Sequence, residues 1–286
     1  MERELEKRIN ELKTAGVSPA GEEYQSLSLK AMDAIRNETR LSGRKVEIAA
    51  LENGVIPTRY HRNIGSIGVS GQLKLLKADV AVIGAGGLGG GVIELLARLG
   101  IGGITVVDGE TFSEDNLNRQ LLCTRGNIGK SKAAAAAERV LEINSAVEVT
   151  PHQVFLDAEN VDSLIGDCDI VIDALDNIPA RFLIQEAAGR LELPLVHGAV
   201  AGFIGQLMSV FPGQAGLTAL FGPEGESPPG GIEVEAGVPA VTPFLIAAGE
   251  VMEALKIILG IGRPVAKRLL YFELEEGKVS EINLDQ

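Results

Sequence analysis

Glycines at positions 84, 86, 87, 89, 90 and 91 end an apolar run over 80–83 and open a helical pattern at Val92, Leu95, Leu96 and Leu99. Residues without a Cβ let backbone N–H groups approach a ligand, and the N-terminus of the helix that follows favours an anion. A phosphate suits such a turn. Asp108 closes the next apolar run, where a carboxylate can accept hydrogen bonds from a ribose. Gly84, Gly86, Gly87, Gly89 and Asp108 are therefore candidate nucleotide-binding positions. Further on, Arg119 and Lys132 offer cations for phosphate oxygens, the arginine as a planar fork and the lysine as a point charge. Asp176 is a hard oxygen ligand of the kind Mg²⁺ takes beside phosphates and water. Asn116 and Asn177 add polar groups next to these charges.

Two nucleotide classes fit the glycine turn. A dinucleotide would require a hydride-transfer apparatus, and His61, His152 and His197 do not assemble one: the first lies in an arm before the turn, the second on a polar edge, the third after a strand. ATP would require cations for a triphosphate and a carboxylate for Mg²⁺. Arg119, Lys132 and Asp176 supply these from three successive segments.

The elements that must position these groups follow from periodicity. Strands are expected over 80–83, up to Asp108, and over 147–150, 169–174, 194–198 and 205–211. Helices are expected after the glycine turn and over 71–77, 131–143, 157–165, 178–191 and 243–259. The alternation predicts an α/β, Rossmann-like, mostly parallel sheet with helices on both faces. A hairpin over 269–284, turning at Glu276 and Gly277, extends it with antiparallel strands. Ligands of such sheets bind beyond the carboxyl ends of the strands, where Asp108, Asp176 and the glycines all fall. Residues 1–58 form a polar N-terminal extension, with helical spacing at Leu5, Ile9 and Leu12 and again at Leu27, Ala31 and Ile35. Residues 212–235, rich in proline and glycine, make a long irregular crossing segment of the length that functional loops have.

A formal charge of −13 argues against nucleic acid as the main partner, because phosphate backbones are bound through lysine and arginine clusters. Two cysteines, Cys123 and Cys168, make neither a disulfide framework nor a four-cysteine zinc site. The charged start predicts no signal peptide, and the longest apolar helix is interrupted by Glu250, Glu253 and Lys256, so a cytoplasmic protein with no membrane partner is expected.

RYHRNIGSIGVSGQLKL, VAVIGAGGLGGGVIELLARLGIGGITVVDGETFSEDNLNRQLL, GKSKA, ALDN, PLVHGAVAGFIGQ and VEAGVPAV together resemble the ThiF/MoeB/HesA family, the bacterial relatives of ubiquitin-activating enzymes. The resemblance covers about 59–284. It implies adenylation of the C-terminal glycine carboxylate of a ubiquitin-like sulfur-carrier protein ending in Gly-Gly, with ATP and Mg²⁺, by a homodimer. It places Gly86 near the phosphates and Asp108 on the ribose. Asn116, Arg119 and Lys132 would meet the phosphate chain, and Asp176 would carry the metal. Arg62 matches an arginine that the family lends into the partner subunit's site. The chain departs from the family twice. Leu217, Thr218, Ala219 and Leu220 stand where many members have a zinc-binding cysteine pair, so no zinc is expected. Glu233 stands where some carry a cysteine, so no covalent thioester or persulfide is expected and sulfur would come from a separate donor. The alternatives are adenylation of a tRNA-borne carboxylate, a non-catalytic nucleotide-binding scaffold, and a dehydrogenase.

Overall fold

The computed structural model describes residues 2–17, 21–222 and 236–284. An eight-stranded sheet dominates, in the order β11-β10-β9-β8-β7-β4-β5-β6. Its parallel half comprises β4 (Asp79–Ile83), β5 (Gly103–Val107), β6 (Glu148–His152), β7 (Ile170–Asp173) and β8 (Leu195–Ala201). β9 (Ile204–Val210), β10 (Arg268–Glu273) and β11 (Lys278–Asn283) extend it antiparallel at one side, as the sequence predicts.

Helices cover both faces. α5 (Gly87–Leu99), α6 (Lys132–Ile143) and α10 (Val241–Leu259) lie on one, and α7 (Val161–Ile165), α8 (Ile178–Arg190) and α9 (Leu217–Phe221) on the other. The strand pleat explains the division. Along β4, Val80 and Val82 enter the core with α5 and α10, while Ala81 and Ile83 enter the core with α8. β4 pairs with β5 on one side and β7 on the other, so the chain reverses direction across the sheet at β4. A crevice opens at that reversal, above the strands' carboxyl ends.

The N-terminal residues carry more than the two helices expected. α1 (Glu2–Leu12), α2 (Leu29–Thr39) and α3 (Gly43–Glu52) pack on a small sheet of β1 (Thr14–Val17), β2 (Glu23–Leu27) and β3 (Val55–Pro57). Leu5, Ile9, Leu27, Met32, Ile35, Val46 and Val55 make their core. Arg40 adopts a left-handed C-cap that ends α2, and the Ser42 hydroxyl accepts from the Lys45 N–H to begin α3.

α4 spans His61–Lys77, longer than the helix expected over 71–77, and bends at Gly68, whose φ is +68°. α7 is shorter than the helix expected over 157–165, because the Asp157 and Asn160 side chains each accept the other's backbone N–H in a turn ahead of it. Of the crossing segment, the described part contains α9, which takes up residues 217–220, with Leu217 buried in the core. Glu233 lies outside the described residues. Among those described, no helix is long and apolar enough to cross a membrane.

Candidate active site

At the crevice lies a cleft of about 630 Å³. Gly84, Gly86, Gly87, Asp108, Asn116, Arg119, Lys132, Asp176 and Asn177 all line it, so three distant stretches of sequence converge as expected. Gly89 and Arg62 do not line it.

The floor is the glycine turn. Gly84 has φ +97°, a conformation that favours glycine, and a Cβ there would lie 2.5 Å from the Ala174 carbonyl. Gly86 caps α5 with no side-chain partner for the first helical N–H groups. Those donors, with the positive end of a 13-residue helix, face the cleft and suit an anion. Gly89 has another task. A Cβ on it would stand 1.8 Å from the Gly84 carbonyl, so its bareness lets α5 sit against the turn. Gly89, expected among the nucleotide-binding glycines, is thus placed by packing under the turn and not in the cleft lining.

Asp108 follows β5. Its two oxygens accept the Ala85 and Glu110 N–H groups, each at 2.8 Å, which ties the carboxylate to the glycine turn. Burial pushes its carboxyl above the usual range, against those two bonds and nearby Lys132. Each oxygen keeps a lone pair for a ribose hydroxyl. Beside it, the exposed Phe155 ring lies against Gly109, within 3 Å of where a Cβ would be. With Val154 and Leu156, it gives the cleft an apolar wall suited to a base. This wall belongs to the connection after β6 and has no motif, so the sequence reading missed it.

The cations have well-defined supports. Lys132 is the first residue of α6 and only 4% exposed, with Nζ 2.6 Å from Glu110 Oε2. A buried ammonium at the positive end of a helix needs an anion. Glu110 supplies one, and it too was absent from the expected site. Arg119 sits half-buried on the rim, donating to the Asp115 carbonyl at 3.0 Å and to Asn118 at 2.8 Å. Asn116 is buried and closes a capping box with Ser113, its Oδ1 accepting the Ser113 N–H at 3.2 Å. It therefore holds the rim loop in shape. Gln120, buried beside Gly86 with its Oε1 unpartnered, joins the lining.

Asp176 stands exposed after β7, with Asn177 Nδ2 at 3.4 Å. Asn177 itself caps α8, accepting the Ala180 N–H at 3.0 Å. Among the described residues no group of three or more acidic, histidine or cysteine side chains forms a metal-binding cluster. Asp176 is the exposed carboxylate on the β7 side of the cleft, whose lining also carries Asp108, Glu110 and Asp115, and such oxygen donors fit a hard cation sharing its sphere with phosphates and water. Arg181, 6% exposed, reaches the lining from α8 and was also missed. α8 also carries Glu186 and Arg190, so nothing in its spacing singled out Arg181.

Arg62 lies near the start of α4 and is exposed, on an element whose other end leads into the amino end of β4. Within one chain it does not join the cleft.

The ThiF family model matches residues 60–286. A sulfur carrier protein adenylyltransferase from Thermus thermophilus is 38% identical over 237 residues, covering 79% of this chain and 86% of that protein. A SAMP-activating enzyme E1 from Haloferax volcanii is 36% identical over 219 residues, covering 75% and 80%. Among solved structures, PaaA superposes with a TM-score of 0.69 at 20% identity, covering 80% of this chain and 82% of that one. E. coli MccB crystallised with ATP gives 0.67 at 21% identity, covering 89% and 82%. At these identities the two structures are likenesses of fold.

Proposed function

The chain is a ThiF-family adenylyltransferase, and we propose that it uses ATP to activate the C-terminal glycine carboxylate of a ubiquitin-like sulfur-carrier protein. The observation that carries this reading is the convergence of the bare N-terminus of α5, Lys132, Arg119 and Asp176 on one cleft beside Asp108 and the Phe155 wall. That set suits a ribose, a base and a polyphosphate, and it includes no hydride-transfer apparatus.

The chemistry needs little from acid–base groups. A terminal carboxylate is ionised at neutral pH. Its oxygen attacks the α-phosphorus, an O–P bond forms, the bond from the α-phosphorus to the bridging oxygen breaks, and pyrophosphate leaves with that electron pair. The product is an acyl adenylate. Negative charge shifts onto the leaving pyrophosphate, and Lys132, Arg119 and the α5 N–H groups are placed to stabilise it. Asp176 would hold Mg²⁺, which supplies charge neutralisation on the phosphates when bound. Both cysteines are buried, and burial raises the Cys123 thiol and pushes the Cys168 thiol up to about 11. Neither is suited to form a thioester, which supports a separate sulfur donor. Adenylation by this chain is tested by ATP–pyrophosphate exchange with and without such a carrier.

A homodimer accounts for Arg62. α10 exposes Val241, Leu245 and Met252 at helical spacing, an apolar stripe a second copy can cover. α4 packs on the far end of that helix, where Lys74 donates to the Leu259 carbonyl at 2.9 Å. Arg62 therefore rides on an element tied to this surface. Mixing Arg62→Ala with Lys132→Ala protein should restore exchange that neither variant shows alone, because one composite site then holds both residues. Inactive mixtures in which heterodimers are demonstrated contradict a shared site.

A further inference from the structure

Below Asp176 lies a set of buried charges that the adenylation chemistry does not use. Asp173 ends β7 with no exposed surface. Its Oδ1 accepts the Leu175 N–H at 3.1 Å, and its Oδ2 lies 2.7 Å from His197 Nδ1 and 3.7 Å from Arg181 Nε. Arg181 in turn donates from Nη2 to the Leu175 carbonyl at 2.5 Å. His197 is fully buried on β8, and burial lowers its pKa, so the neutral ring donates Nδ1–H to the carboxylate. From α10, Glu250 is buried against Gly198, and burial keeps its carboxyl well above the usual range.

This arrangement is costly as a stabilising device. Replacing a buried ion pair with apolar residues is often neutral or stabilising. Here Arg181 Nε and His197 Nε2 are buried with no hydrogen-bond partner, so the set is not built for maximal stability. Its geometry instead converges on one residue. Both backbone polar groups of Leu175 are held by buried charged side chains, and the next residue is Asp176. The Asn177 cap then fixes the turn from the other side.

We infer that Asp173, Arg181 and His197 are positioning residues, which clamp Leu175 so that the neighbouring Asp176 carboxylate is presented to the cleft in one orientation. The inference rests on the reading of Asp176 as the metal-binding residue. Supporting groups of this kind tune metal affinity without touching the ion.

The test compares His197→Ala with His197→Asn in the full-length protein. Asparagine keeps an N–H donor close to the Nδ1 position, and alanine does not. Two quantities are read: the Mg²⁺ concentration giving half-maximal exchange, and hydrogen–deuterium exchange of residues 174–177 without nucleotide. His197→Ala should raise the Mg²⁺ requirement about 10-fold and speed exchange in 174–177, and His197→Asn should recover both. Should His197→Ala not fold, Arg181→Met, which loses the donor to the Leu175 carbonyl, carries the same comparison. A lowered melting temperature with unchanged Mg²⁺ requirement and unchanged 174–177 exchange overturns the inference. Wild-type protein without carrier-dependent activity would defeat the adenylation reading instead, and the hydrogen-exchange comparison would still decide whether the clamp exists.

Discussion

Asp176→Ala should reduce ATP–pyrophosphate exchange by about 100-fold or more while leaving the folded protein almost unchanged. The side chain is exposed and its one described contact is Asn177 Nδ2 at 3.4 Å, so its removal leaves no buried group unsatisfied. Surface substitutions of that kind usually change stability by no more than about 0.5 kcal/mol. The functional loss has a different origin. Asp176 is the accessible carboxylate on the β7 side of the cleft, facing the glycine turn across the point where β4 meets β7. Without it, a metal bound to the phosphates would lose its anchor to the protein. The check is an exchange assay at saturating ATP alongside thermal unfolding. Retained exchange in a well-folded variant would place the metal site elsewhere.

Gly89→Ala should do the reverse and damage the fold first. The added Cβ would stand 1.8 Å from the Gly84 carbonyl oxygen, and both partners are backbone, so no rotamer change relieves the clash. α5 would have to lift from the turn, and the cores on both faces of β4 would be disturbed with it. Overpacking costs of about 3 kcal/mol or more are expected where nothing can yield, corresponding to a fall in melting temperature on the order of 10 °C. Gly90→Ala is the control. Its Cβ would meet the Leu122 side chain at 3.3 Å, which can shift by a few tenths of an ångström. Thermal unfolding of the two variants should therefore separate widely. Equal melting temperatures would refute the assigned packing role.

That pair of glycines also marks what a sequence can disclose. The strand, glycine turn, helix and strand over 79–107 were legible because apolar runs, bare residues and helical spacing all agree there. The same motif suggested one role for every glycine, and the division between Gly86 on the cleft and Gly89 against the turn needs the distances. Arg119, Lys132 and Asp176 were legible as chemistry, since each falls after a predicted strand or at the start of a predicted helix. Their supports were not. Glu110 is one acid in a polar loop, Phe155 one aromatic after a short strand, and Arg181 one of two cations in a helix that also carries Glu186. Each acquires meaning only through tertiary proximity. The first half of α4 was hidden by Gly65, Gly68 and three serines or asparagines over 63–70, which weaken its helical signal. The small N-terminal sheet escaped because its strands are three to five residues long and mix polar with apolar positions.

The central claim is that this cleft transfers AMP from ATP to a carrier protein's C-terminal glycine. Incorporation of labelled pyrophosphate into ATP tests it most directly, with purified protein, Mg²⁺ and a small ubiquitin-like protein ending in Gly-Gly from the same organism. Exchange should appear only when the carrier is present and should vanish when its terminal glycine is deleted. Exchange that ignores the carrier's terminus, or none with any such carrier of that organism, would contradict the account.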